Sequence, residues 1–131
     1  MPNEDASAVA RMYYTVLGRA PEFAGEKYWV GIMDSQSYGI QTLAPYFYNS
    51  PEFQSRYGSN TTNSAFIDLL YRNILGRGGE TEGTAYWQGQ LGSGVPREVV
   101  VVAFSESVEH QAIRYDTIER GGIVFGGDAF L

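Results

Sequence analysis

Apolar side chains recur along the chain at the three- and four-residue spacing of amphipathic helices. One segment has them at i, i+3, i+4, i+7 and i+8, and a second segment repeats this spacing further along. The two sets are Val9, Met12, Tyr13, Val16 and Leu17, and then Ile67, Leu70, Tyr71, Ile74 and Leu75. Gly18 and Gly76 follow them, where a left-handed residue commonly ends a helix. Each segment therefore predicts a helix that ends at a glycine.

The correspondence between the two segments continues beyond these helices. Residues 9–35 align with 67–93 without a gap, and after one deleted residue 47–54 align with 104–111. The shared positions include Leu17-Gly18-Arg19 with Leu75-Gly76-Arg77, Glu22 with Glu80, Gly25 with Gly83, Tyr28-Trp29 with Tyr86-Trp87, Phe47 with Phe104, Ser50 with Ser107, and Glu52 with Glu109. We interpret the chain as two tandem units, at about 7–57 and 64–115.

Each unit is expected to contain further helices. The second helix places Tyr28, Trp29, Ile32 and Met33 on one face, and Tyr86, Trp87 and Leu91 are their counterparts. A third helix is predicted at about 39–49, with Ile40, Leu43, Ala44 and Phe47 facing inward. Its counterpart, 96–106, contains a run of four valines that alone would favour a strand, but the repeat favours a helix. Ser50-Pro51-Glu52 has the residues of a helix start, as does Ser107-Val108-Glu109.

These elements predict an all-α fold, a compact bundle of six to eight short helices built from two tandem helical repeats. A unit of about 57 residues buries little surface alone, so we expect the two units to share one core. The predicted organisation is a single body over 1–120 and a Gly-rich tail at 121–131, which has four glycines and no helical period.

Composition and net charge limit the ligands and the kinds of site that we expect. The net charge of −6 disfavours nucleic acid and anionic lipid surfaces, and no apolar run is long enough for membrane insertion. With no cysteine and with His110 as the single histidine, we expect no metal site, no cofactor and no enzymatic activity. The first fifteen residues contain Glu4 and Asp5 and no basic segment, so we expect no signal peptide.

The shared motifs resemble a known family. The pattern is Leu17-Gly18-Arg19-Ala20-Pro21, then Gly25, Tyr28-Trp29 and Ser50-Pro51-Glu52-Phe53, and it recurs with Leu75-Gly76-Arg77 and Tyr86-Trp87. It resembles the DUF4214 domain, a bacterial family without an assigned activity, and more distantly it is similar to the helical linker domain of phycobilisomes. The resemblance implies an extracellular or particle-surface location, because such domains are frequent in exported proteins, often beside the calcium-binding repeats of type I secretion substrates.

The end of the chain allows two interpretations. Asp128-Ala129-Phe130-Leu131 is similar to the C-termini of type I secretion substrates, whereas Phe130 and Leu131 packing on the helices is the simpler alternative. The glycines of 121–127 do not meet the spacing of the calcium-binding repeat.

Candidate binding residues come from the aromatic excess, since ten tyrosines are more than two small cores need. We expect Trp29 and Trp87 in the core. Four tyrosines without an aromatic counterpart in the other unit are expected at the surface as ligand-binding residues: Tyr38, Tyr46, Tyr48 and Tyr57. For Arg19 with Glu22 and for Arg77 with Glu80, we expect either a local ion pair or a guanidinium that donates to the carbonyls at the C-terminal end of the preceding helix. His110 is expected to be partly buried or at the surface.

Two functions remain open at this point. The first is a non-catalytic binding or adhesion module of an exported or particle-surface bacterial protein, which recognises cell-surface polysaccharide through exposed tyrosines. The second is a structural module that docks onto other protein subunits and forms a discrete oligomer or complex. A concave groove of aromatic residues would favour sugar, and a flat apolar patch would favour protein.

Overall fold

The computed structural model describes residues 4–118, which form eight α-helices and one π-helical segment. In chain order they are α1 (Glu4–Leu17), α2 (Phe23–Gln36), α3 (Ile40–Tyr48), α4 (Pro51–Tyr57), α5 (Asn63–Leu70), the π segment (Tyr71–Leu75), α6 (Thr81–Gly92), α7 (Arg97–Ser105) and α8 (Val108–Ile118). Since 4–118 contains no strand, the predicted all-α fold is confirmed. The predicted Gly-rich tail at 121–131 lies outside the described residues.

The predicted helix ends are present. Gly18 and Gly76 adopt the left-handed conformation, at φ 70° and 71°. At the start of α4, the Ser50 hydroxyl accepts a hydrogen bond from the Phe53 backbone N–H at 3.2 Å, with Pro51 as the first helical residue. Ser107 does the same for the His110 N–H at 3.1 Å. Short polar side chains therefore set where these helices begin.

The valine run of α7 is helical because of what it packs against. Val100, Val101 and Phe104 are buried in the main core, and α7 lies against α3. Burying these side chains contributes more than the fraction of a kcal/mol by which β-branched residues disfavour a helix. The repeat predicted this helix correctly where local propensity alone did not.

One hydrophobic core joins the two halves of the bundle. Its most buried side chains come from both: Val9, Met12, Leu43, Phe53, Tyr57, Phe66, Ile67, Leu70, Ile74 and Val100. Helix α1 is central, because it contacts α2, α3, α4, α7, α8 and the π segment. Helices α2 and α6 are peripheral, since Met33 and Leu91 are their buried apolar residues.

The helix bounds of the halves correspond, but the first helix ends differently in each. In the first half the Gly18 N–H donates to the Tyr14 carbonyl at 3.0 Å, as in an ordinary α-helix. In the second half the Gly76 N–H donates to the Tyr71 carbonyl, five residues back, which makes the last turn a π turn. The last turn of this helix, which starts at Tyr71, therefore contains one residue more than the hydrogen-bonded turn of an α-helix.

The repeated glycines of α2 and α6 allow a tyrosine to approach each helix. A Cβ atom on Gly25 would lie 2.6 Å from the Tyr13 hydroxyl oxygen, and one on Gly83 would lie 2.5 Å from the Tyr71 hydroxyl oxygen. Both separations are well below van der Waals contact. Only glycine fits at these positions while the buried tyrosines keep their places.

Candidate functional site

Three aromatic residues form a partly exposed surface on the first half. The Trp29 ring packs on those of both Tyr28 and Tyr46, with centroid separations of 5.1 Å and 6.0 Å. Tyr28 is 60% exposed and Tyr46 is 65% exposed, whereas Trp29 is half-buried and its ring also packs on Phe47 at 5.0 Å. We call Tyr28, Trp29 and Tyr46 the aromatic platform.

Only one of the four predicted tyrosines belongs to this platform, namely Tyr46. Tyr38 is exposed in the turn between α2 and α3. Tyr48 is half-buried, with its ring 4.9 Å from that of Phe53. The other tyrosine of the platform is Tyr28, which the helical spacing places on one face with Trp29.

The prediction that Tyr57 lies at the surface is wrong. Tyr57 is fully buried; its ring stacks on Phe53 at 4.2 Å and its hydroxyl donates to the Thr15 carbonyl at 2.8 Å. That carbonyl is in the last turn of α1, where no further helical N–H is in place to donate to it. Tyr57 is buried because its hydroxyl satisfies this carbonyl at the C-terminal end of α1. Burial raises the pKa of that hydroxyl to about 12.

A pocket of about 130 Å³ opens on the second half. Its walls are Tyr71, Leu75, Arg77, Trp87, Ala103, Phe104, Ser107 and Glu109. Seven of these eight residues are identical in the two aligned halves, although they come from the π segment, α6, α7, α8 and the turns that precede α6 and α8. Residues of the repeated sequence motifs therefore lie together around one pocket.

The pocket is present where the two halves differ by one side chain. In the aligned sequence Ala103 corresponds to Tyr46, and Trp87 corresponds to Trp29. Both tryptophans are half-buried and pack on a phenylalanine, Trp29 on Phe47 at 5.0 Å and Trp87 on Phe104 at 5.3 Å. The ring of Tyr46 covers one side of Trp29, whereas Ala103 leaves that side of Trp87 open.

An ion pair forms the polar wall of the pocket. Arg77 donates from Nε and Nη2 to the two carboxylate oxygens of Glu109, each at 2.8 Å, and from Nη1 to the Gly78 carbonyl at 3.0 Å. The local ion pair of Arg77 with Glu80, one of the two alternatives expected from the sequence, is therefore wrong, because the guanidinium reaches across to the start of α8. These hydrogen bonds raise the pKa of Arg77 and lower the pKa of Glu109. Both side chains remain about 40% exposed.

The first half keeps the predicted local pair. Arg19 lies 2.7 Å from the Glu22 carboxylate and donates to the Ala20 carbonyl at 3.1 Å. The pKa of Glu22 is lowered, first by a hydrogen bond from its own backbone N–H and then by Arg19. Another guanidinium, that of Arg56, lies against Gly18, where the second half has Ile113 at the corresponding position.

The prediction for His110 is wrong, because its side chain is fully buried. Its Nδ1 is 2.7 Å from the Ser105 carbonyl, and its Nε2 accepts from the Arg114 Nε at 3.0 Å. These partners require a neutral ring with the proton on Nδ1. Burial, together with the charges of Arg114 and Arg11, lowers the pKa of His110 to about 4, against the opposing effect of the hydrogen bond to Ser105.

The model for the domain of unknown function DUF4214 matches residues 44–113, which is over half of the chain. The chain belongs to the DUF4214 family. The matched segment begins in α3 and ends in α8, so it contains every residue of the pocket wall. No curated protein matches the sequence.

The DUF4214 match leaves two of our interpretations as predictions. It covers one continuous segment across the boundary between the halves, so it does not divide the chain into two family copies. The distant similarity to the phycobilisome linker domain is likewise untested. Within residues 4–118, no helix is long and apolar enough to cross a membrane.

Sequence reasoning missed the pocket for an identifiable reason. It compared the two units for identities, whereas the decisive feature is a difference, Ala103 against Tyr46. It also assigned both tryptophans to the core, although Trp29 and Trp87 each keep an exposed side. A search for positions where a large ring in one unit faces a small residue in the other would have found Ala103.

Proposed function

We propose that this DUF4214 domain is a non-catalytic binding module of an exported or particle-surface bacterial protein and that it recognises cell-surface polysaccharide. The observation that supports the proposal best is the aromatic platform, in which two exposed tyrosines flank a half-buried tryptophan. Sugar rings stack on such surfaces through their C–H groups, and tyrosine hydroxyls offer hydrogen bonds to sugar hydroxyls. A tryptophan fixed by packing on Phe47 loses little freedom when a ligand binds.

The chemistry near the platform favours binding over catalysis. Glycoside hydrolysis needs two carboxyl groups on either side of the bond, one of them with a raised pKa. The pKa of Glu109 is lowered by its hydrogen bonds with Arg77, and the pKa of Glu22 is lowered first by its own backbone N–H and then by Arg19, so neither carboxyl group is suited to be a proton donor.

A binding assay on encapsulated bacterial cells tests this function. The intact domain should bind the cells, and enzymatic removal of the capsule should abolish binding. Tyr46→Ala and Tyr28→Ala should each weaken binding severalfold, because each removes one side of the platform. Tyr115→Ala is the matched control, since Tyr115 is an exposed tyrosine on α8, outside the platform. If both platform variants bind like the unchanged protein, the platform does not bind the polysaccharide.

Subunit docking is the second candidate, and the outer face of α8 favours it. Val108, Ala112 and Tyr115 lie at i, i+4 and i+7, and all three are exposed, Val108 to 83%. A second copy or another subunit packed there would give a discrete complex. Sedimentation of the domain over a range of concentrations, with Val108→Lys as the comparison, tests this. A monomer at every concentration that binds no other protein would contradict docking.

A further inference from the structure

We infer that the pocket between Trp87, Ala103 and the Arg77–Glu109 pair is a second, separate sugar site, which takes one uncharged pyranose ring. This inference rests on the proposed polysaccharide recognition and adds a second site and a ligand class to it. The pocket wall combines the aromatic residues Tyr71, Trp87 and Phe104 with polar side chains, and the Arg77 guanidinium lies over the Tyr71 ring.

The size of the pocket suits a single ring. Its volume is about 130 Å³, close to the roughly 150 Å³ of an engineered protein cavity that binds benzene. A pyranose is also a six-membered ring, and its hydroxyl groups can extend through the open mouth. The first half carries a six-membered ring of its own in the equivalent place, the phenol ring of Tyr46 beside Trp29.

The polar wall determines the charge of the ligand. Arg77 and Glu109 neutralise each other, so the pocket offers hydrogen-bonding groups without a net charge. The Glu109 carboxylate accepts two hydrogen bonds from Arg77 and retains free lone pairs, and the guanidinium Nη groups retain N–H donors. A sugar hydroxyl can donate a hydrogen bond to the Glu109 carboxylate and accept one from the Arg77 guanidinium. An acidic sugar would meet the Glu109 carboxylate and the net charge of −6, so neutral sugars are favoured.

Tryptophan fluorescence can observe each site separately, because the chain has two tryptophans. In the Trp29→Phe protein, emission reports the pocket through Trp87; in the Trp87→Phe protein, it reports the platform through Trp29. The probes are neutral gluco-, galacto- and manno-hexasaccharides, with an oligogalacturonate of the same length as the acidic comparison. We expect neutral probes to change Trp87 emission in a saturable way and the acidic probe to bind at least tenfold more weakly.

Ala103→Tyr is the decisive variant, made in the Trp29→Phe protein. It closes the pocket with the ring that the first half uses, and should weaken binding at Trp87 at least tenfold. If that variant does not fold, Glu109→Gln serves instead. It keeps the shape of the side chain but leaves Arg77 with a net positive charge, so preference should shift toward the acidic probe.

The outcomes separate this inference from the proposed function. Neutral probes that leave Trp87 emission unchanged, or that bind equally well after Ala103→Tyr, would overturn the pocket as a sugar site. The platform would still stand if Trp29 emission responded in the Trp87→Phe protein. Loss of cell binding in the Tyr46→Ala variant with no response at Trp87 would likewise support polysaccharide recognition and reject the pocket.

Discussion

Arg11 donates from Nε and Nη2 to the two carboxylate oxygens of Glu106, at 2.9 Å and 2.7 Å, although 95 residues separate them. Arg11 lies in the middle of α1 and is buried, and Glu106 directly follows α7. The pair therefore connects α1, the central helix, to the second half of the bundle. The spacing of apolar residues gives no sign of this pair, because that pattern does not indicate which distant residue a charged side chain contacts.

Removing the charge of Glu106 should be costly because the buried Arg11 guanidinium loses the carboxylate that accepts two of its hydrogen bonds. We expect Glu106→Gln to lower the free energy of unfolding by about 2 kcal/mol, measured by chemical denaturation. The exposed pair of Arg72 with Asp68 on α5 and the π segment is the control. Asp68→Asn should cost less than about 0.5 kcal/mol. Equal losses for the two variants would show that burial of the first pair has no energetic effect.

Two glycines of α6 should respond oppositely to alanine. At Gly83 the added methyl group meets the Tyr71 hydroxyl, so Gly83→Ala should destabilise the domain by about 1 to 3 kcal/mol. At Gly89 no atom lies within 4 Å of the added Cβ, so Gly89→Ala should stabilise by about 0.5 to 1 kcal/mol through helix propensity. Thermal and chemical denaturation of both variants measure the difference. Stabilisation by Gly83→Ala would contradict the close approach of Tyr71.

The buried hydroxyl of Tyr57 should contribute to stability. Tyr57→Phe keeps the ring stacked on Phe53 and removes the hydrogen bond to the Thr15 carbonyl. We expect a loss of about 1 to 2 kcal/mol, because a buried acceptor is left without a donor. Tyr115→Phe, at an exposed position, should change stability by less than about 0.5 kcal/mol. If the Tyr57 variant is as stable as the unchanged protein, the Thr15 carbonyl must find another donor.

His110 should make the stability of the domain depend on pH between about 4 and 6.5. In the folded protein its pKa is lowered to about 4, whereas in the unfolded chain it keeps the ordinary value near 6.5. Between these values the unfolded state binds more protons, so stability is complete above pH 6.5 and is lost as the pH falls toward 4. The loss should reach about 2 to 3 kcal/mol.

A phenylalanine at this position separates the effect from other titrations. The first half has the fully buried Phe53 at the position that corresponds to His110. The His110→Phe variant should lose some stability at every pH, because the Ser105 carbonyl and Arg114 lose a partner, but its stability should vary less over this range. Denaturation curves at several pH values compare the two proteins. Parallel pH profiles would exclude His110 as the source.

The helices could be predicted from the sequence because short-range signals set them. The spacing of Val9, Met12 and Val16, the Ser50-Pro51 start and the Gly76 end are all local, and each is present in the fold. For α7 the repeat also corrected the strand preference of its valines. Local patterns of this kind need no knowledge of which elements meet.

The candidate sites depended on long-range packing, which the pattern does not contain. Tyr57 is buried because its hydroxyl reaches the end of α1. Arg77 pairs with Glu109 and not with Glu80, because α8 starts beside it. His110 is buried between Ser105 and Arg114 for the same kind of reason. Exposure can be guessed from helix periodicity, but the partner of a polar side chain depends on where a distant element lies.

Packing of α3 on α7 means that neither half has a complete interior of its own. A fragment that ended after Tyr57 would expose the face of α3 that α7 covers, and the complementary fragment would expose α7. Mixed in solution, the two fragments should reassociate as a heterodimer whose stability depends on their concentration. In the intact chain, the short connection from Gly58 to Thr62 keeps the two halves together. Their association therefore no longer depends on protein concentration, because the linker gives an effective concentration on the order of millimolar or higher.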